Sequence, residues 1–304
     1  MVEVVVEPME RSVAEDFAKD STDASTMVLW WLGQAGFALR AGRCRLLIDP
    51  YLSDSLAGKY AGTEFPHQRM MPPPISADQL PPLDAVLCSH AHSDHMDPGT
   101  LPVVAARHPA CRFIVPAAEA AVALQGGVPA NRMTPVNAGD TVEVVGVEVQ
   151  VVPAAHEHIK VNAKGEHHHL GFILRYAGVV VYHSGDTLPF DGLADLLRSE
   201  GVDVALLPAN GRDEHRTSRG VVGNMTLEEA IELCLNAGIG AMIPHHFGMF
   251  EFNTIDPRLL RTRAAELDAR LLCVLPDARH RFIVRGATRP SPTSGIGARY
   301  ESRN

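Results

Sequence analysis

Six consecutive residues, His90-Ala91-His92-Ser93-Asp94-His95, bring three imidazoles and a carboxylate together. Buried charge and buried imidazole are costly unless paired or ligated, so this density points to divalent-metal chemistry rather than to packing. Neutral imidazole and carboxylate are the donors expected for zinc, manganese or iron. Residues 84–88 read as a short buried strand, and the cluster begins where that strand ends. Side chains at i and i+2 of an extended segment share one side, so His90 and His92 can grip one ion together. Asp94 and His95 lie further on, where the chain turns toward a helix near Asp97-Pro98, and suit a second ion nearby.

Other chain segments must supply the remaining donors, and three strand ends do so. Residues 149–152 run into His156, 179–182 into His183-Ser184-Gly185-Asp186, and 241–243 into Pro244-His245-His246. Each places a His or Asp just past a β-segment beside a Gly or Pro that turns the chain, where catalytic groups are commonly carried on a rigid rim. Further strands are expected at 27–32, 37–40, 44–49, 113–115, 202–207, 271–275 and 281–284, and hairpins at 141–152, turning at Gly146, and 170–182, turning through Ala177-Gly178. Helices are expected at 98–107, 117–125, 226–237 and 257–267. The third has Thr226 as its N-cap and Glu229 at the capping-box position. Residues 50–82, rich in Pro and Gly, read as a long irregular stretch of functional use. His167-His168-His169 reads as a solvated loop before a strand. Of Trp30 and Trp31, one is expected in the core and the other beside the site.

The domain reading is an N-terminal arm (1–26, with a short helix at 14–20), a single domain (27–286) and a mobile tail (287–304). The chain has 304 residues with no interior linker, within the range of one large or two small domains. Its 46% hydrophobic and 21% charged content is that of a globular protein. No apolar run approaches the roughly 20 residues of a membrane span, and the N-terminus lacks the basic region of a secretory signal. Five cysteines stand singly at 44, 88, 111, 234 and 273. That spacing argues for buried thiols in a reducing, cytoplasmic compartment rather than for disulfides. A net charge of −9 without a basic block disfavours nucleic acid as a partner.

The order HxHxDH, His, Gly-Asp, His resembles the metallo-β-lactamase superfamily over about residues 27–285. The resemblance implies a mixed α/β (α+β) fold, a four-layer αββα sandwich with a dinuclear metal site at one edge. Carried onto this chain, His90, His92 and His156 hold one ion, Asp94, His95 and His246 the second, and Asp186 bridges both. His245 is the runner-up to His246. Within the superfamily the chain is most similar to the L-ascorbate-6-phosphate lactonase family. The residues that carry this are Trp31-Leu32-Gly33-Gln34-Ala35-Gly36, Tyr182-His183-Ser184-Gly185-Asp186, residues 207–213 followed by Gly223-Asn224-Met225-Thr226, and Pro244-His245-His246. Residues 161–169 depart from that pattern. The Trp-Leu-Gly opening and the Pro-rich lead-in to the cluster also look like the N-acyl-phosphatidylethanolamine phospholipase D branch.

The resemblance implies two divalent ions, Mn2+ or Zn2+, and a hydrolase that opens a sugar-derived, possibly phosphorylated, lactone by attack of a metal-bridging hydroxide. Asp94 and Asp186 are the expected catalytic carboxylates, Asp94 passing a proton to the leaving alkoxide. A small anionic or lactone substrate is expected to meet His183, Asn210, Arg212 and Arg216, because arginine forks suit phosphate or carboxylate. The family resemblance also suggests a homo-oligomer. The alternatives are a phosphodiesterase and, from another class, a metal-binding scaffold without catalysis.

Overall fold

The structure, a computed structural model, describes residues 2–19, 23–267 and 270–286; the expected tail at 287–304 lies outside them. In chain order the strands are β1 (Glu3–Pro8), β2 (Thr26–Gly33), β3 (Gly36–Ala41), β4 (Cys44–Ile48), β5 (Ala85–Leu87), β6 (Arg112–Pro116), β7 (Met133–Val136), β8 (Thr141–Val144), β9 (Val147–Pro153), β10 (Leu170–Tyr176), β11 (Val179–His183), β12 (Val204–Pro208), β13 (Ala241–His245), β14 (Leu272–Cys273) and β15 (His280–Arg285). The helices are α1 (Val13–Ala18), α2 (Ser55–Lys59), α3 (Leu101–Arg107), α4 (Ala120–Gln125), α5 (Leu193–Ser199), α6 (Glu214–Thr217), α7 (Leu227–Ala237) and α8 (Pro257–Glu266).

Among the described residues strands β1 to β7 build one sheet and β8 to β14 the other. The first sheet runs β1-β15-β2-β3-β4-β5-β6-β7 and the second β14-β13-β12-β11-β10-β9-β8. The final strand returns to the first sheet, between β1 and β2, and so ties the two halves together. Every residue of β2 is buried. Its alternate side chains enter two different cores: Met27, Leu29 and Trp31 face the one shared with the second sheet. Val28, Trp30 and Leu32 pack with Val13 and Phe17 of α1 and Leu101 and Val104 of α3. That is the period-two alternation of a strand covered on both faces. Helix α7 packs on β12 and β13, beside α5. The layers are therefore helix, sheet, sheet, helix.

Within the expected N-terminal arm, residues 3–8 and 13–18 form regular elements. Strand β1 pairs antiparallel with β15 from Glu3–Arg285 to Pro8–His280. In α1, which opens with a Ser12–Glu15 capping box, Asp16 accepts a hydrogen bond from Trp30 Nε1 at 3.0 Å and meets Arg281 at 2.9 Å. The valine–glutamate run supplies strand-forming residues, but only β15, far along the chain, gives them a partner. Residues 50–82 also hold the short helix α2, which the prolines around it hide from a sequence reading.

Candidate metal centre

Strand direction places the donors. Strands β9 and β11 are both antiparallel to β10, while β11, β12 and β13 are mutually parallel. The carboxyl ends of β9, β11 and β13 therefore lie on one edge, and they deliver His156, Asp186 and His246. Strand β5, parallel to β4 and β6, delivers His90 to His95 from the facing sheet. Carboxyl ends of parallel strands are where α/β sheets collect ligands.

Three donor triads result, each with its ligand atoms within 4.8 Å of one another: His90, His92 and His156; His90, His95 and Asp186; and Asp94, His95 and His246. The Asp186 carboxylate stands between the others, 3.3 Å from His95 Nε2, 3.6 Å from His156 Nε2 and 3.1 Å from His246 Nε2. The seven residues expected as ligands thus meet at one place. His245 does not join them; its ring stacks on His183 at 5.1 Å and 11°.

These residues fit divalent cations. His90 Nε2, His95 Nε2 and Asp186 Oδ1 are buried with no hydrogen-bond partner, and such atoms are costly to leave unpaired. Burial disfavours charge on Asp186, yet the imidazoles of His246 and His95 hold its carboxyl well below the usual carboxylate range. Burial pushes His156 down to about 4 and His90 well below the ordinary imidazole value, so both are neutral donors at pH 7. His95 moves the other way: its desolvation is outweighed by Asp186, Asp49 and Asp94, which raise it.

Two residues around the cluster escaped the sequence reading as functional. Asp49 Oδ2 lies 2.7 Å from His95 Nδ1, and the same carboxylate accepts from Ser89 N–H at 2.7 Å and Ser89 Oγ at 2.6 Å. Gln34 Nε2 donates to Asp94 Oδ2 at 2.8 Å and lies 3.1 Å from His246 Nε2, while its carbonyl accepts from His246 N–H at 2.9 Å. Gln34, Asp49 and His246 all have positive φ (51°, 46° and 60°), a conformation that costs non-glycine residues roughly 1–3 kcal/mol each. Gly185 also has positive φ. There a Cβ would sit 2.7 Å from that of Ser89 and 2.8 Å from the Leu170 carbonyl, so the Gly-Asp turn accepts no side chain.

A cavity of about 600 Å3 opens over the cluster. Its floor includes His92, Asp94, His156, His169, Asp186 and His246, and its walls come from residues 56–67, 157–160 and 219–222. The long irregular stretch is thus a wall of the site. It is fixed at its start by the Asp97 carboxylate, which accepts from Ser53 Oγ at 2.7 Å, Ser55 Oγ at 2.9 Å and Thr100 Oγ1 at 2.5 Å.

The expected substrate contacts fall elsewhere. His183 is fully buried; its Nε2 donates to the Ala35 carbonyl at 2.8 Å and its Nδ1 accepts from Gly185 N–H at 3.1 Å. Asn210 donates to Asn253 Oδ1 at 2.7 Å beneath the wall. Arg212 forms a two-pronged bridge to Glu229 at 2.5 and 2.6 Å, tying the loop to the first turn of α7. Arg216 is buried and bound to Asp213 at 2.5 Å and Asn253 at 2.6 Å. None of the four lines the cavity, because intramolecular acceptors satisfy them first. Arg219 does line it, paired with Glu64 at 2.9 Å across the opposite wall. Neither tryptophan reaches the cavity: Trp30 bonds to Asp16, and Trp31 donates to the Gln34 carbonyl and stacks on Phe247 at 5.3 Å. The 167–169 run is not a solvated loop. His167 N–H donates to Asn137 Oδ1 at 2.8 Å, His168 meets Glu119 at 2.5 Å, and His169 is turned into the cluster, where burial pushes it down to about 3.

Residues 44–247 match the family model described as the beta-lactamase superfamily domain. A UPF0173 metal-dependent hydrolase of Methanoregula boonei is 32% identical over 81% of this chain and 95% of its own length. One from Methanosarcina mazei is 28% identical over 81% and 94%. Among solved structures, the isothiocyanate hydrolase from Delia radicum gut bacteria has a TM-score of 0.67 at 18% identity, covering 84% of this chain and 97% of its own. A possible metal-dependent hydrolase from Veillonella parvula has a TM-score of 0.64 at 17% identity, covering 85% and 99%. At such identities the two structures share the fold.

Proposed function

Because this chain belongs to the metallo-β-lactamase superfamily, and within it to the UPF0173 metal-dependent hydrolases, we propose that it opens a small lactone or related ester in the cavity over the histidine–aspartate cluster. The observation that carries this reading is the convergence of His90 Nε2, His95 Nε2 and Asp186 Oδ1, buried and without a hydrogen bond, beneath that cavity. His90, His92 and His156 would hold one divalent ion and Asp94, His95 and His246 a second, with Asp186 between them. Zinc and manganese both suit an all-nitrogen-and-oxygen donor set. A divalent ion held there supplies Lewis acidity and a hydroxide nucleophile at neutral pH.

The chain's own groups supply the rest. Asp94 is the more open of the two carboxylates, 15% exposed against 4% for Asp186. In this reading Asp94 takes up a proton at a carboxylate oxygen and passes it to the leaving alkoxide. Gln34 fixes the orientation of that carboxylate. Leu56, Tyr60, Phe65, Val221 and Val222 on the walls shield the body of the substrate from water, and Lys59 and Lys160 offer cationic contacts to an anionic substituent. These two lysines replace the arginines expected from the sequence. The five free cysteines support a reducing, cytoplasmic setting; the homo-oligomer rests on the family resemblance.

Metal-reconstituted protein assayed against a lactone panel and bis-p-nitrophenyl phosphate tests the reading. Lactone turnover is expected, with Asp186→Ala losing both activity and bound metal. Turnover of the phosphodiester alone would replace the ester reading with the phosphodiesterase one. A fully loaded protein that turns over neither would leave a metal-binding scaffold.

A further inference from the structure

His169 shares the floor of the cavity with His92 and His156 yet belongs to none of the three donor triads. Its ring centroid lies 5.1 Å from that of His90 and 5.2 Å from that of His156. The backbone holds it there from both sides. The Ala154 N–H donates to the His169 carbonyl at 3.1 Å, and the Leu170 N–H donates to the Ser89 carbonyl at 3.0 Å. The residue is thereby clamped between the strand end that delivers His156 and the residue that precedes His90. Such placement on element ends, rather than on a free loop, is what precise positioning of a functional group requires.

The two ring nitrogens differ. Nδ1 is sealed from solvent and has no hydrogen-bond partner. A buried N–H without an acceptor is rarer in proteins than an unused lone pair, so the proton belongs on Nε2. The ring lines the cavity, and with Nδ1 sealed, Nε2 is the atom through which it reaches a bound molecule. We infer that His169 is a substrate-contacting residue whose Nε2–H donates to the oxygen of the scissile carbonyl, beside the donor cluster. Its hydrogen bond strengthens as negative charge develops on that oxygen, as for an oxyanion-hole donor. The chemistry rests on the hydrolase reading above; the geometry does not.

The test uses the zinc-loaded full chain, with inorganic phosphate as a tetrahedral oxyanion probe and p-nitrophenyl acetate as substrate. Long-range 1H–15N spectra are expected to show the Nε2–H form of His169, with its signal moving when phosphate is added. His169→Ala is expected to keep the wild-type zinc content and to lose roughly 100-fold in kcat, with KM changed by less than about threefold, as for an interaction made in the transition state. His169→Gln, which retains an N–H donor, is expected to recover about tenfold of that loss. An Nδ1–H form, a signal unmoved by phosphate, or loss of zinc in His169→Ala would each overturn the assignment. Failure of the wild type to hydrolyse any ester would sink the ester reading instead, while the spectra still decide the role of His169.

Discussion

At the scale of single residues, donors of the expected types are not enough; each needs a neighbour that fixes its direction. Gln34 does this for two of them at once, through Asp94 Oδ2 and the backbone and ring of His246. Asp49 does it for His95. Partners of this kind typically govern metal affinity by 10–100-fold. Gln34→Ala is therefore expected to weaken metal binding by about that range while the protein remains folded, a result that competition with a chromophoric chelator reads directly. Unchanged affinity would mean that Asp94 and His246 are oriented by the rest of the fold. Gln34 was visible in the sequence only as part of a Trp-Leu-Gly-Gln motif, since nothing local distinguishes a glutamine that faces a metal site from one on a turn. The preference for His246 over His245 has a physical basis that is likewise not local. Left-handed backbone at His246 aims its ring at Asp186, while His245 stays in strand β13 and stacks on His183.

At the scale of elements, the arginines after β12 illustrate how local chemistry misleads. Arg212 and Arg216 look like an anion site, but carboxylates of the loop and of the helix that follows claim them: Asp213 holds Arg216, and Glu229 holds Arg212. Glu229 serves both as the capping-box residue for Thr226 and as the bidentate partner of Arg212. Arg212→Ala is thus expected to leave KM unchanged and to lower stability. The Glu229 carboxyl has a folded-state pKa of about 2, set by hydrogen bonds from Arg212 against the opposing effect of burial, with help from Thr226. Because this lies below its unfolded value, the stabilisation is complete above that value and disappears as pH falls toward about 2. The stability difference between wild type and Glu229→Gln, measured by urea denaturation, should therefore be largest near pH 7. It should shrink steadily below about pH 4.5; a constant difference would refute the coupling. Thr226→Ala removes the other half of the box and is expected to cost about 1 kcal/mol.

At the scale of the whole molecule, the donor cluster joins two sheets. His90 to His95 come from the first, and His156, Asp186 and His246 from the second. A ligand that binds only the folded state stabilises it, by about 2.7 kcal/mol at a concentration of 100 Kd. Chelation is accordingly expected to lower Tm, and restoring zinc or manganese to raise it in a concentration-dependent way; equal melting with and without chelator would argue that the cluster binds no ion. The order of amino acids alone specified the donor types, their succession and their position at strand ends, because alternating apolar runs and the Gly or Pro that ends them are local signals. It also determined the α7 capping box and the tight hairpins. It took the folded chain to reveal that the first strand pairs with β15, that residues 56–67 wall the cavity, that Arg212 and Arg216 are consumed internally and that His169 turns inward. Each of these depends on a partner distant in the chain. Hydrogen bonding and burial select among side chains that local sequence leaves equivalent.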